Sequence, residues 1–358
     1  MKLKSEYMRT EEKVIFALRE LYSKYGYAQF KMSKFEEYDL YVKNKDFLVS
    51  DSVITFNDTN GKLLALKPDV TLSIIKNSTD SSGVQKLYYN ENVYRVSKNT
   101  HSFKEIMQTG LECIGNIGTY NICEVVTLAA KSLSAISDKF VLDISHMGLI
   151  SSVLAEINDD VKTQILKFIS EKNTHDLISL CDNEGVDSKT IVSLINVNGT
   201  VDEIKEKLLA IPFPESAADA LEEIFTIANI LENTQDKDKI HFDFSIVNDM
   251  NYYSGIVFKG YIEGIPTGIL SGGRYDLLMN KMGKKSGAIG FAVYLDFLER
   301  FMEETKEYDT DILLLYNDTD KLAEVLKTVD TLTTQGNRVL AEKTVPEGLK
   351  YKTLLRFE

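Results

Sequence analysis

The chain has 358 residues, enough for one large domain with an appendage or for two domains. It is 44% hydrophobic and 27% charged, a composition that excludes a disordered chain and is typical of a globular protein. The net charge of −13 argues against a strong non-specific nucleic-acid binder, because the phosphate backbone needs a concentrated positive surface.

The first region of the chain predicts two helices around four strands. Apolar residues recur at helical spacing after residue 11, and Gly26 supplies a stop. Asn60 and Gly61 predict the turn of a β-hairpin, because this pair favours left-handed backbone. The predicted elements are, in chain order, a helix at 11–27, a hairpin at 52–71, strands at 87–96 and 103–115, and a helix at 125–136.

The rest of the chain predicts three further regions. Residues 147–239 contain mostly amphipathic helical patches without clustered chemistry, so we interpret them as a helical insertion that covers a site. Residues 240–306 return to alternating strands and end in a helix. Residues 309–358 read as strand, helix and strand, about half of a small α/β domain. They hold nine acidic and seven basic residues, a net charge of −2.

This order predicts an α+β fold. Strands from two distant segments, with helices set apart, favour a mostly antiparallel sheet flanked by helices. We expect a core over residues 1–306, interrupted by the insertion at about 147–239, and a short C-terminal α/β region at 309–358.

The cysteines and histidines predict no metal or disulfide. Cys113, Cys123 and Cys181 are odd in number and contain no CxxC pair, and the four histidines are scattered. No apolar run approaches the roughly 18 residues of a membrane span, and the N-terminus lacks the apolar core of a signal peptide. We expect a cytoplasmic protein without cofactor, metal or membrane partner.

Six segments, taken together, resemble histidyl-tRNA synthetases, and they cover roughly residues 8–300 in the order of that family. The resemblance implies the catalytic fold of class II aminoacyl-tRNA synthetases, in a homodimer whose interface includes the first helix. The segments are "YGY", "TFNDTNGKLLALKPDVT", "YYNENVYR", "MQTGLECIG", "NYYSGIVF" and "GGRYD…GAIGFA".

The resemblance implies a retained histidine pocket. A carboxylate and a phenol suit the two ends of an imidazole, because one accepts and the other donates a hydrogen bond. Taken singly, a tyrosine in a strand is usually core and a strand glutamate usually faces solvent; their order here favours the binding interpretation. The implied histidine-binding residues are Asp69, Thr71, Gln108, Glu112, Tyr252 and Tyr253.

The resemblance also implies that the ATP machinery is incomplete. Arg95 matches the arginine that the family places on the α-phosphate, so it is a candidate anion-binding residue. The family's adenine-binding glutamate is replaced by Ser97, and Asn248 stands where an arginine reaches the carboxylate. In the last motif, a glycine has become Tyr294 and the γ-phosphate arginine has become Phe297. Losing one such arginine costs roughly 10³–10⁵ in rate, so we expect no catalytic residues.

A histidine pocket without ATP chemistry resembles the regulatory subunits of ATP phosphoribosyltransferase. This resemblance implies a short-form catalytic subunit as partner, histidine as effector, and a homodimer within a hetero-oligomer that performs the first step of histidine biosynthesis. The acidic C-terminal region is poorly suited to tRNA. Two alternatives stay open, an adenylating enzyme like the synthetases and a class II paralogue that serves as a scaffold or senses another ligand.

Overall fold

The computed structural model divides into two compact units, Met1–Met302 and Glu303–Glu358. It describes residues 8–45, 48, 53–79, 83–96, 102–247, 252–301, 307–317 and 321–357, with backbone alone at 299–301.

The described part contains the following elements. The helices are α1 (Thr10–Lys24), α2 (Tyr38–Val42), α3 (Thr71–Asn77), α4 (Thr119–Ser134), α5 (Met147–Val153), α6 (Asp159–Ser170), α7 (Thr174–Glu184), α8 (Lys189–Ile195), α9 (Ile204–Leu209), α10 (Ala218–Leu231), α11 (Asp276–Lys281), α12 (Asp296–Phe301) and α13 (Leu322–Thr334). The strands are β1 (Ala28–Gln29), β2 (Phe35–Glu37), β3 (Thr55–Asn57), β4 (Leu63–Leu66), β5 (Gln85–Val96), β6 (Phe103–Gly115), β7 (Phe140–His146), β8 (Asn198–Thr200), β9 (Ile240–Asp243), β10 (Ile256–Ile262), β11 (Leu270–Arg274), β12 (Gly287–Tyr294), β13 (Thr310–Leu315), β14 (Val339–Glu342) and β15 (Tyr351–Arg356).

The first unit is built on a nine-stranded sheet with the order β1-β5-β6-β12-β11-β10-β7-β9-β8. Neighbouring strands are antiparallel except for β1 with β5 and β7 with β9. The predicted α+β fold with a mostly antiparallel sheet is confirmed. The two parallel pairs lie near the edges of the sheet, away from its central strands.

Helix α1 confirms the first sequence prediction. Val14, Leu18 and Tyr22 lie on its buried face, and the Tyr22 hydroxyl is hydrogen-bonded to Ser132 of α4 at 3.0 Å. The helix ends at Lys24, and Gly26 adopts a φ of 81°, in the left-handed region that favours glycine.

The predicted hairpin is present, but its turn is longer than the expected pair Asn60 and Gly61. Strands β3 and β4 are antiparallel, and the Asp58 amide donates to the Lys62 carbonyl at 2.9 Å. The Asp58 carboxylate accepts hydrogen bonds from the backbone amides of Asn60 and Lys62, each at 2.8 Å. This side-chain cap stabilises a loop of three residues in which Gly61 supplies the left-handed position, with a φ of 79°.

The insertion is helical, as predicted, and also carries a strand that the sequence did not predict. Helices α5 to α10 lie between β7 and β9, and β8 pairs antiparallel with β9. Because β7 and β9 are parallel, the chain must cross over between them, and the helices provide this long connection.

The two faces of the main sheet have different partners. On β6, Leu111 and Cys113 belong to the main core, which also contains the buried residues of α1 and α4. Residues of the opposite parity, such as Ile114, face a smaller core that includes α3 and α11. Since side chains alternate along a strand, Gln108 and Glu112 face the same side as this smaller core.

The second unit, Glu303–Glu358, contains a three-stranded parallel sheet with the order β14-β13-β15 and the helix α13. The strand, helix and strand predicted from residue 309 onward are present. Strand β15 was not predicted, because its residues are mostly exposed and lack an apolar alternation. Among the helices described, none is long and apolar enough to cross a membrane.

Candidate functional site

A cavity of about 250 Å³ lies on the face of the sheet opposite α4, and all seven residues proposed from the sequence line it. The structure therefore brings together six predicted ligand contacts and the candidate anion-binding arginine, from positions as far apart as Asp69 and Tyr253. The described lining residues are Leu48, Asp69, Val70, Thr71, Tyr89, Arg95, Gln108, Glu112, Tyr252, Tyr253, Ser271, Gly272, Tyr275, Gly290, Phe291, Ala292 and Tyr294.

Glu112 is the most constrained acid of the cavity. It is 2% exposed, and its two carboxylate oxygens accept separate hydrogen bonds. The Thr71 hydroxyl donates to Oε1 at 3.1 Å, and the Tyr275 hydroxyl donates to Oε2 at 2.5 Å. Burial raises the pKa of Glu112 to about 8, although the hydrogen bonds from Tyr275 and Thr71 oppose the rise.

The raised pKa predicts a pH-dependent stability. In the folded protein the Glu112 carboxyl holds its proton up to about pH 8, whereas its ordinary pKa is 4.5. Between these values the folded state binds more protons, so the free energy of unfolding falls as the pH rises. Urea denaturation from pH 5 to pH 8 is expected to show a smaller fall in Glu112→Gln than in the wild-type chain. Equal slopes in the two proteins would contradict the assignment.

Asp69 has a structural role beside its predicted ligand role. Its Oδ1 accepts a hydrogen bond from the Leu72 amide at 2.9 Å, in the first turn of α3. Burial raises the pKa of Asp69, while the backbone of Leu72 and the charge of Arg95 lower it. One carboxylate oxygen is thus held by the helix backbone, and the residue lines the cavity in a fixed position.

The tyrosine pair lies outside the strands, contrary to the sequence interpretation. Strand β10 begins only at Ile256, and Tyr252 and Tyr253 precede it. Their rings contact each other, with centroids 4.5 Å apart, and Tyr252 also packs on Tyr275 at 5.9 Å. The Ser254 amide donates to the Arg274 carbonyl outside the regular register of β10 and β11. The regular strand pairing therefore does not extend to the tyrosine pair.

Three further tyrosines line the cavity and were not assigned to it from the sequence. They are Tyr89, Tyr275 and Tyr294. Tyr275 is the tyrosine of the segment "GGRYD". From the sequence alone, a tyrosine at this position cannot be distinguished from a residue of the hydrophobic core. Its hydroxyl donates a hydrogen bond to Glu112 and so helps to hold that carboxyl group in position in the cavity.

The glycines of β11 allow close backbone approach. A Cβ at Gly272 would overlap the carbonyl oxygen of Gly290 and the side chain of Phe291. A Cβ at Gly273 would come within 2.8 Å of the Tyr253 ring. No side chain fits at either position, because backbone of the neighbouring strands and aromatic side chains already occupy the space.

Arg95 is the only guanidinium among the described lining residues. Its Nε donates to the Pro68 carbonyl at 3.0 Å, which anchors the side chain. The two terminal nitrogens of an arginine remain a planar fork suited to a carboxylate or phosphate. Ser97 and Asn248, named as replacements in the ATP machinery, lie outside the described residues.

Phe297 stands at the sequence position of the γ-phosphate arginine of the synthetases. It is half-buried and packs against the main core, and it is not among the described residues that line the cavity. An aromatic ring gains more by burial in the apolar core than by facing a polar cavity, which accounts for this packing. That Phe297 removes the γ-phosphate contact of the synthetases stays a prediction. Tyr294, three residues earlier, does line the cavity.

A polar network joins the helical insertion to the segment that carries the tyrosine pair. His146 Nδ1 accepts from the Leu149 amide at 3.1 Å, so Nε2 carries the hydrogen and donates to Glu223 of α10 at 3.2 Å. Glu223 also lies 3.6 Å from Arg274, whose carbonyl accepts from Ser254. The hydrogen bond from His146 lowers the pKa of Glu223 despite its burial.

Glu223→Gln is expected to lower the free energy of unfolding at pH 7 by about 1 kcal/mol, because a charged acceptor becomes a neutral one. The deficit should shrink as the pH falls below 4.5, since the lowered pKa of Glu223 makes its contribution disappear when it is protonated. Chemical denaturation at two pH values measures both effects. Glu222→Gln, at an exposed neighbour, is the matched control; an equal effect there would contradict the network.

Among the described residues, no group of three His, Cys, Asp or Glu side chains could hold a metal. All three cysteines are free and buried. The cavity instead combines one guanidinium, two carboxyl groups and several hydroxyl and phenol groups. Such a set pairs with a small zwitterion that carries extra N–H groups, because carboxyl oxygens accept from N–H and the guanidinium binds a carboxylate.

Comparisons with known proteins identify the family of the chain. The histidyl-tRNA synthetase family model matches residues 2–298. A regulatory subunit of ATP phosphoribosyltransferase from Caldanaerobacter subterraneus is 32% identical over 289 residues, which are 78% of this chain and 75% of that protein.

Solved structures show the same fold. The crystal structure of an ATP phosphoribosyltransferase regulatory subunit/histidyl-tRNA synthetase from Bacillus halodurans matches with a TM-score of 0.76 and 22% identity, over 99% of this chain and 96% of that one. A chain of the ATP phosphoribosyltransferase (HisG:HisZ) complex from Thermotoga maritima matches with a TM-score of 0.64 and 20% identity, over 82% and 98%. The chain belongs to the histidyl-tRNA synthetase family, in the branch of the ATP phosphoribosyltransferase regulatory subunits.

Proposed function

We propose that the chain is the regulatory subunit of an ATP phosphoribosyltransferase, required by a short-form catalytic subunit and responsible for feedback inhibition by histidine. The observation that carries this proposal is the shared cavity, because the six residues implied to bind histidine and Arg95 all line it. The solved complex from Thermotoga maritima supports a catalytic subunit as partner, since one of its chains shares this fold.

The chemistry of the cavity supports histidine as the ligand. Glu112, held by Thr71 and Tyr275, offers acceptor oxygens to an imidazole N–H or an ammonium group. Asp69 offers a second carboxyl group on the same side of the sheet, and Arg95 offers a fork for the carboxylate. Every polar group of the amino acid therefore has a partner of the appropriate type.

Absence of catalysis is part of the proposal. The residues that differ from the synthetase pattern include Asn248 and Tyr294, and Tyr294 occupies the cavity with a phenol where the synthetases have glycine. Removing a guanidinium from a phosphoryl transition state costs several orders of magnitude in rate. The retained Arg95 is the observation that favours the alternative of an adenylating enzyme.

The domain assignment belongs to the same proposal. We assign residues 1–306 to a synthetase-like core, with the insertion at about 147–239, and residues 309–358 to a region that resembles part of an anticodon-binding domain. The core is proposed to form the homodimer within the hetero-oligomer, and the protein to act in the cytoplasm.

Calorimetry and an exchange assay on the purified chain test this function. L-histidine is expected to bind, and histidine-dependent exchange of pyrophosphate into ATP is expected to be absent. Exchange activity would favour the adenylating enzyme. No histidine binding, with an intact complex that histidine does not inhibit, would favour a scaffold or a sensor of another ligand.

A further inference from the structure

Strand β12 places side chains of increasing size across the floor of the cavity. Gly290, Ala292 and Tyr294 alternate along the strand, and all three line the cavity. Since alternate residues of a strand point to the same face, the floor carries no side chain, then a methyl group, then a phenol. Across the ladder, Gly290 lies opposite Glu112 and Tyr294 lies opposite Gln108.

The two ends of this floor differ in chemistry. At the Gly290 end the Glu112 carboxyl group occupies the space that a side chain would need. Arg95 lies toward the Tyr294 end: it is paired with Lys104 of β6, which is four positions beyond Gln108 on the side away from Glu112, and it lines the cavity. An N–H group of a ligand therefore belongs at the Glu112 end, and its carboxylate at the Arg95 end.

We propose that Tyr294 is a specificity-determining residue that forms the end wall of the cavity beyond the ligand's carboxylate. Tyr294 lies four positions after Gly290 in the strand, a span of roughly 13 Å. This length accommodates a free amino acid and leaves no room for a group attached to its carboxylate. The inference rests on the proposed function, because it takes histidine as the amino acid.

If Tyr294 forms this wall, the cavity should discriminate between ligands by the length of the group at the carboxylate position and not by its charge. L-histidinamide removes the carboxylate charge while adding almost no length, whereas the dipeptide L-histidyl-glycine adds a residue at the same bond. In the wild-type chain the dipeptide is expected to bind about 100-fold more weakly than the amide, since it must displace the phenol. In Tyr294→Ala this ratio should fall at least tenfold, and in Tyr294→Phe it should stay at the wild-type value.

Isothermal titration of the full chain with L-histidine, the amide, the dipeptide and 1-benzyl-L-histidine tests the wall. The benzyl derivative is extended at the imidazole, so Tyr294→Ala should leave its affinity unchanged. The inference is overturned if the wild-type chain binds the dipeptide as well as the amide, or if Tyr294→Ala admits the benzyl derivative instead. It is also overturned if Tyr294→Ala leaves the ratio unchanged.

The wild-type measurement and Tyr294→Phe keep the inference testable even if Tyr294→Ala does not fold, which its thermal unfolding reveals. If the wild-type chain binds histidine and binds the dipeptide as tightly as the amide, the proposed role of Tyr294 is wrong and the proposed function is unaffected. If the wild-type chain binds neither histidine nor the amide, the proposed function is wrong, and the end wall is withdrawn with it.

Discussion

Glu112→Gln is expected to weaken histidine binding about 100-fold at pH 9, above the pKa of about 8 of the Glu112 carboxyl, because a hydrogen bond to a charged acceptor contributes up to about 3 kcal/mol. The amide cannot accept at both positions, so the hydrogen bonds that Thr71 and Tyr275 donate to the two carboxylate oxygens cannot both be kept. The substitution also places an NH₂ donor where the ligand presents its own N–H. Titration calorimetry on the purified chain measures the change directly.

The matched control for Glu112→Gln is Glu105→Gln on the same strand. Glu105 is exposed, and it accepts hydrogen bonds from Asn92 and from Tyr94. Its substitution makes the same chemical change outside the cavity and should leave histidine affinity within about twofold of wild type. A similar loss in both variants would indicate a general effect of charge and not a contact at the site.

Gly290→Ala is expected to lower the free energy of unfolding by about 3 kcal/mol and to weaken histidine binding at least 100-fold. The added methyl group would overlap the Glu112 carboxylate and the carbonyl oxygen of Leu111. The carbonyl belongs to the paired strand β6 and cannot move away, so the strain passes to the Glu112 side chain and displaces it from Thr71 and Tyr275.

Gly83→Ala is the control for this glycine. A Cβ at Gly83 has no heavy atom within 4 Å, so the substitution should change stability by less than about 1 kcal/mol. Urea denaturation and calorimetry on both variants measure the contrast. Wild-type affinity and stability in Gly290→Ala would mean that the backbone of β12 does not form the floor of a binding cavity.

Much of the fold could be predicted because its elements follow strong local patterns. Strand β6 begins and ends at the predicted residues 103 and 115, and Gly26 marks the end of α1 as expected. The missed strands β1 and β8 have two and three residues, too few for an alternation to be recognised. Strand β15 pairs with β13 over a long sequence separation, and only that tertiary partner makes it a strand.

The residues of the candidate site could be predicted from the sequence, but the shape of the cavity that they line could not. Asp69 and Glu112 were identified from the order of segments, and the fold brings them to one cavity. The roles of Tyr275 and Tyr294 could not be read from the sequence, since a buried phenol looks the same in a core and in a cavity wall. For Phe297, the aligned motifs identify the replaced position, and the structure adds that the ring packs against the main core.

Reconstitution with a short-form ATP phosphoribosyltransferase catalytic subunit tests the central claim most directly. The two chains are expressed together, purified as a complex, and assayed for condensation of ATP with phosphoribosyl pyrophosphate, with and without L-histidine. The account predicts that the catalytic subunit alone has little activity, that the complex is active, and that histidine inhibits it. A catalytic subunit whose activity is the same with and without this chain, and with and without histidine, would contradict it.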